Sequence, residues 1–490
     1  MTTDPVVERG RLANPALLRS EAFYDGAWRP AASGQTIEVT DPYTGAPVGS
    51  IPSLAADEIE AAIASAERAF ATWSRQPNRW RGAVLRKWLE LIERNQEDLA
   101  TLITLENGKP LKEARAEVSY GAGFVEFYAE EAGRIYGETI PSPVPGRRLM
   151  AEREPVGVCV AITPWNFPLA MLTRKIAPAL AAGCTVVAKP ASQTPLTALA
   201  LAALAEEAGA PAGVLSVITG KASMIGEVVT HSRIVRKISF TGSTEIGAQL
   251  MAASAPTIKR LSLELGGNAP LLVFDDTDLD AAIETAMVAK FRNSGQSCIA
   301  ANRIYVQRGV YDTFMTAFAR RIGQLVLGDG FDPATDIGPL IDQAAVTKVN
   351  EHLVDAVSGG AEIVAGRSSE NARLSPPTLL RNVRPSALLT REETFGPLAG
   401  VIPFDTIEDG LRMANDTPFG LAAYVCSTNP TTIARVSRDL ESGMVGINTG
   451  LISTALAPFG GVKLSGLGRE GSRHGLDEYL NIKYLCHAGL

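Results

Sequence analysis

From residue 156 onward, hydrophobic residues gather into short unbroken runs: VGVCVAI (156–162), CTVVAK (184–189), VLSVIT (214–219) and KISF (237–240). Between them lie LAMLTRKIAPALAAG, stopped by Gly183, and PLTALALAALAEEAG, both of which read as helices. Continuous apolar strands alternating with helices predict a parallel sheet covered on both faces, the doubly wound α/β class. A second alternation begins near LSLEL (261–265) and LLVF (271–274), passes through DLDAAIETAMVAKF and RIYVQ (303–307), and runs to about residue 450. It predicts a separate α/β unit. Upstream, DEIEAAIASAERAFATW predicts one amphipathic helix. AVLRKWLELIERNQEDLATLITLENG predicts a second, ended by Gly108 and Pro110. Two segments fit neither unit, 136–155 and the tail 476–490. Each could pair as strands, and outlying strands of this kind often reach another subunit. The expected organisation is a first unit of 1–135 and 156–260, a second of 261–455, and an arm of 136–155 and 470–490.

A chain of 490 residues is too long for one core, which agrees with more than one unit. Lys+Arg 46 against Asp+Glu 53 gives a net charge of −7 with no long run of one sign, so no nucleic-acid partner is expected. No apolar run approaches the ~20 residues that span a bilayer, and MTTDPVVERGRL lacks a signal pattern. No membrane association is expected. The five cysteines are scattered without a CxxC pair, arguing against a disulfide framework or a metal site and for a reducing, cytoplasmic setting.

Most candidate chemistry sits where strands end. FTGSTEIG (240–247) passes from strand to helix with Gly242 and Ser243 at the turn. It is either a helix N-terminus aimed at a phosphate or a plain turn capped by serine. KPASQTP (189–195) sets Lys189 at a strand's carboxyl end, to hold a ribose or phosphate or simply to be solvated. TPWNFP (163–168) follows a buried strand, and its two prolines could fix Asn166 as a hydrogen-bond donor. LELGGN (263–268) offers Glu264 as a general base beside two glycines, or as a solvated strand-end acid. Cys159, Cys184 and Cys426 lie inside apolar strands and Cys486 in the tail. Only Cys298, in FRNSGQSCIAANR (291–303), occupies a polar loop, as a reactive thiol requires.

Taken in order, TPWNFP, KPASQTP, FTGSTEIG, LELGGN, GQSC, EETFGP (392–397) and PFGGVKLSGLGREG (458–471) resemble the aldehyde dehydrogenase superfamily over nearly the whole chain. TRKIAPALAAG, KFRN and NTGLIS look most like its succinate-semialdehyde dehydrogenases. The resemblance implies a Rossmann-like dinucleotide-binding domain, a second α/β catalytic domain and a small β oligomerisation arm, in a homotetramer or homodimer. It implies that Cys298 is the nucleophile, Glu264 the general base, and Asn166 an oxyanion donor alongside the Cys298 N–H. Thr163, Pro164, Trp165, Lys189, Ser192, Gly242, Ser243, Glu393 and Phe395 would hold NAD or NADP. Arg174, Arg292 and Ser453 would grip the far carboxylate of a short aldehyde. NAD-preferring relatives commonly carry Glu at the position of Ser192, so NADP should be accepted here. Ala300 replaces a second cysteine found in some relatives, so no local disulfide switch is expected.

Two other classes compete. A cysteine acyl hydrolase usually needs a histidine base, and the four histidines, His231, His352, His474 and His487, sit in no recognisable motif. A binding protein that had lost the chemistry would lack Cys298, Glu264 or Asn166, and all three are present. Within the favoured class, glutarate semialdehyde or a sulfonated aldehyde such as sulfolactaldehyde could use the same arginines.

Overall fold

The computed structural model describes residues 12–366, 369 and 371–489. Residues 1–11 of the expected first unit and residue 490 of the expected arm lie outside the described residues. The fold is α/β with two large sheets. The first has eight strands in the order Gly466–Leu467, Arg260–Glu264, Val235–Thr241, Val158–Ile162, Thr185–Lys189, Leu215–Val217, Ala22–Tyr24 and Ala27–Arg29. Its central five, from Arg260–Glu264 to Leu215–Val217, are parallel. Their apolar runs are buried, as expected for strands covered on both faces.

The strand Val158–Ile162 lies between Thr185–Lys189, which follows it in the chain, and Val235–Thr241, which comes later. The winding reverses there and leaves a crevice at the carboxyl ends, the usual ligand position in such sheets. Register sets Ile162 beside Lys189 and Phe240, and Thr241 beside Glu264. The carboxyl end of the sheet therefore presents Lys189 and Glu264 as the last residues of their strands, and the loops that carry Asn166 and Gly242.

The second sheet runs Glu362–Ala365, Thr378–Arg381, Leu398–Phe404, Arg303–Gln307, Pro270–Val273, Ala422–Cys426, Met444–Ile447, parallel except at its first pair. Of the segments expected to form the arm, residues 470–479 pack instead on the first unit, where Glu470 meets Lys175 and Arg174. Leu480–Ala488 pairs antiparallel with Arg147–Pro155, which also pairs with Glu138–Ile140.

Two further expectations change. LSLEL, expected to open the second unit, is a strand of the first sheet, paired with Val235–Thr241. An apolar strand carries no local mark of the sheet it joins. The single helix expected over AVLRKWLELIERNQEDLATLITLENG is two, Asn78–Arg94 and Gln96–Asn107. Asn95 breaks it: its backbone turns to φ −102°, ψ 23°, and its side-chain amide donates to the Leu91 carbonyl at 2.8 Å. Gly108 ends the second piece at φ 83°, as its left-handed C-cap position requires.

Candidate active site

Cys298 lies on a loop that leaves the helix Leu279–Phe291 through a tight reversal. Asn293 (φ 52°), Ser294 (φ 56°) and Gly295 (φ 72°) are successively left-handed, which costs energy for the two non-glycines and must be held by neighbours. The holding contacts are explicit. Asn293 N donates to Glu113 Oε2 at 2.8 Å and Ser294 Oγ to the Gly338 carbonyl at 3.1 Å. Ile341 N donates to Gln296 Oε1 at 2.9 Å, and Lys290 Nζ to Asn302 Oδ1 at 2.6 Å. Gly267 of LELGGN is required by close approach: a Cβ there would stand 2.3 Å from the Cys298 carbonyl oxygen.

A cavity of about 620 Å³ opens at the sheet edge. Every position expected to hold the dinucleotide lines it: Thr163, Pro164, Trp165, Lys189, Ser192, Gly242, Ser243, Glu393 and Phe395. Asn166 and Cys298 line it as well. The site fits such a group. Thr163 Oγ1 and Thr241 Oγ1 are buried on its wall without a hydrogen-bond partner. Lys189, pushed down to about 8 by burial, bonds no protein acceptor among the described residues. Ser243 caps the helix Thr244–Ser254 by accepting from Ile246 N, so the turn is serine-capped and also borders the cavity. At the far wall Phe395 (φ 56°) meets Trp165 edge-on, ring centroids 5.4 Å apart. Glu393 accepts from Gly267 N at 3.2 Å.

Asn166 is buried, and its Nδ2 donates to the Gln296 carbonyl at 3.0 Å, two residues before the nucleophile position. Glu264 is 2% exposed, and neither carboxylate oxygen has a hydrogen-bond partner. Burial first, then the Glu470 carboxylate, holds it well above the usual carboxylate range, while Lys175 and Arg174 pull it down. Burial, followed by Glu393 and Glu264, pushes the Cys298 thiol up to about 12. The thiol is therefore protonated near neutral pH, and a lone thiolate would sit among carboxylates.

The three residues expected to grip an anion have different surroundings. Arg174 is buried. Its Nε lies 3.4 Å from Glu470 Oε2, Nη2 donates to Tyr120 Oη at 2.8 Å, and Cζ stands 4.3 Å over Phe459. It does not line the cavity. Arg292 is half-buried, its guanidinium 5.1 Å over the Phe167 ring. Tyr120 packs on a small cluster of Phe167, Ala170 and Met171, and both arginines touch this group. Ser453 is half-buried in the loop after Met444–Ile447.

Sequence reasoning did not single out Glu470, although the motif PFGGVKLSGLGREG contains it. It forms a buried ion pair with Lys175 and faces Arg174. Nor did it single out Lys109 and Asn293, which bond the Asn166 carbonyl.

Comparison with known proteins agrees with this geometry. The family model described as "Aldehyde dehydrogenase family" matches residues 28–485. The glutarate-semialdehyde dehydrogenase of Pseudomonas aeruginosa is 53% identical over 482 residues, 98% of this chain and 100% of the relative. The Escherichia coli succinate-semialdehyde dehydrogenase named for NADP(+) is 52% identical over 478 residues, 97% of this chain and 99% of the relative. A crystal structure of aldehyde dehydrogenase from Brucella melitensis biovar abortus superposes with a TM-score of 0.97 at 55% identity, covering 97% of this chain and 99% of that one. With its cleft, its thiol and its matches over nearly full length, this chain belongs to the aldehyde dehydrogenase family.

Proposed function

We propose that this NAD(P)-dependent aldehyde dehydrogenase oxidises a short ω-carboxylated aldehyde, succinate semialdehyde first among them, to the acid. Cys298 Sγ adds to the aldehyde carbon, its S–H proton passing to solvent in the open cleft as the carbonyl electron pair moves onto oxygen. Asn166 Nδ2 and the Cys298 N–H stabilise the resulting oxyanion, a contribution typically worth about 10²–10³ in rate per donor. A nicotinamide dinucleotide in the cleft supplies the hydride acceptor. Glu264 then takes a proton from the water that hydrolyses the Cys298 thioester. The carrying observation is that one cavity joins Cys298 and Asn166 to every expected dinucleotide-holding residue.

Arg292 supports an anionic substrate. It stands six residues before the thiol, half-buried, without an ion pair among the described residues. Guanidinium suits a carboxylate because its fork bonds both oxygens. Replacing Arg292 by Gln should lower kcat/KM for succinate semialdehyde about 10–100-fold, the range of a lost charged hydrogen bond, and change propanal less than about twofold. Equal losses for both aldehydes would remove the clamp. Kinetics over short carboxylated and sulfonated aldehydes would rank the substrates, and the similarity to a glutarate-semialdehyde dehydrogenase keeps the five-carbon aldehyde in that panel.

For the cofactor, Ser192 borders the cavity where a carboxylate would repel a 2′-phosphate. Ser192→Glu should cut kcat/KM with NADP by more than about tenfold and spare NAD, an effect on the scale of one unfavourable charge pair. An unchanged cofactor ratio would place the 2′-phosphate elsewhere. The arm supports assembly into a homotetramer or homodimer: Ile482 and Tyr484 are 65% and 60% exposed on its outer strand. A cytoplasmic location belongs to the same proposal. No helix among the described residues is long and apolar enough to cross a membrane.

A further inference from the structure

A buried ion pair sits behind Asn166. Lys109, directly after the left-handed Gly108, has a side chain 1% exposed, and its Nζ lies 2.6 Å from Glu117 Oε2. The same ammonium donates to the Asn166 main-chain carbonyl at 2.7 Å and stands 4.2 Å over the Phe167 ring. Glu117 uses its other oxygen to accept from Leu169 N at 2.9 Å and Ala170 N at 3.3 Å, where the helix Ala170–Ala182 begins. Asn293 Nδ2 adds a second bond to the Asn166 carbonyl at 2.9 Å. The Asn166 side-chain amide in turn holds the Gln296 carbonyl.

We propose that the Lys109–Glu117 pair is a positioning device that fixes the Asn166 segment, which the Asn293 and Gln296 bonds join to the Cys298 loop, and so sets the distance between the two oxyanion donors. A buried ion pair is a poor source of net stability, since desolvation offsets most of its attraction. Its usefulness here is directional. Three bonds from one charged pair hold the chain at Asn166 itself and just beyond it, at Leu169 and Ala170. Small displacements of catalytic groups cost large factors in rate. The inference rests on Asn166 acting as an oxyanion donor.

The test is a cycle with Asn166→Ala. Lys109→Met combined with Glu117→Gln removes both charges together and keeps an acceptor for Leu169 N. In the wild-type background the double change should lower kcat for aldehyde oxidation about 10–100-fold, lower cofactor-free ester hydrolysis by the same factor, and leave the NADP Kd within about twofold. In the Asn166→Ala background it should add less than about twofold. Should the double variant not fold, Asn293→Ala removes the other donor to the same carbonyl without burying a charge, and the same pattern is expected. Unchanged kcat, a weakened NADP Kd, or a full additional loss on top of Asn166→Ala would each overturn the positioning role. Wild-type turnover by Asn166→Ala alone would instead overturn the oxyanion role on which it rests.

Discussion

Cys298→Ser should lose at least about a thousandfold in kcat for aldehyde oxidation while still binding the dinucleotide with its normal Kd, since removal of a covalent nucleophile leaves only binding and the oxyanion donors. The thiol is half-buried in the cleft, and burial, with Glu393 and Glu264 adding to it, pushes it up to about 12. A serine hydroxyl in the same place would be far harder to ionise and a weaker nucleophile. No histidine is placed in the cavity to act as its base. Stopped-flow measurement of dinucleotide reduction together with a dinucleotide fluorescence titration separates chemistry from binding. Reduction at the original rate would mean that the sulfur takes no covalent part.

Glu264→Gln should show the second largest effect, and of a different kind. The first turnover should still reduce about one dinucleotide per site, after which the steady state slows about 10²–10⁴-fold as the thioester accumulates. Mass spectrometry of the quenched protein should find the acyl group on Cys298. The pH dependence gives an independent check. Glu264 must be unprotonated to accept a proton from water, and burial together with Glu470 holds it well above the usual carboxylate range. Steady-state turnover should therefore fall as pH drops through a value above about 4.3, the ordinary glutamate figure, and this limb should be missing in Glu264→Gln. A variant that loses its burst as well as its turnover would assign Glu264 to the first half of the reaction.

The residues of the cleft were legible because each announces itself locally. A cysteine among Asn, Ser, Gly and Gln is in the wrong company for a core position, and TPWNFP and FTGSTEIG stand at strand ends, where α/β sheets bind ligands. Groups that act from behind were not legible. Lys109 reads as a lysine in a helix-ending turn, and Asn293 as one more polar loop residue. Only the fold shows that both reach the Asn166 carbonyl, 57 and 127 residues away in the chain. Glu470 and Lys175 are 295 residues apart, beyond any local pattern. The misplacement of LSLEL has the same origin, since burial makes a strand apolar in either sheet. Arg174 shows the limit from the other side. Its position was anticipated, but not that Glu470, Tyr120 and the Phe459 ring would engage its guanidinium.

The returning chain has a consequence for biosynthesis. Gly466–Leu467 is the edge strand beside Arg260–Glu264, and Glu470 then tucks in between Lys175 and Arg174. A nascent polypeptide still tethered to the ribosome through those positions holds its thiol, its glutamate, Lys175 and Arg174, but not the Glu470 carboxylate that faces them. A chain cut before Gly466 would therefore lack both the edge strand and the Glu470 carboxylate while still carrying Cys298, Glu264 and Asn166.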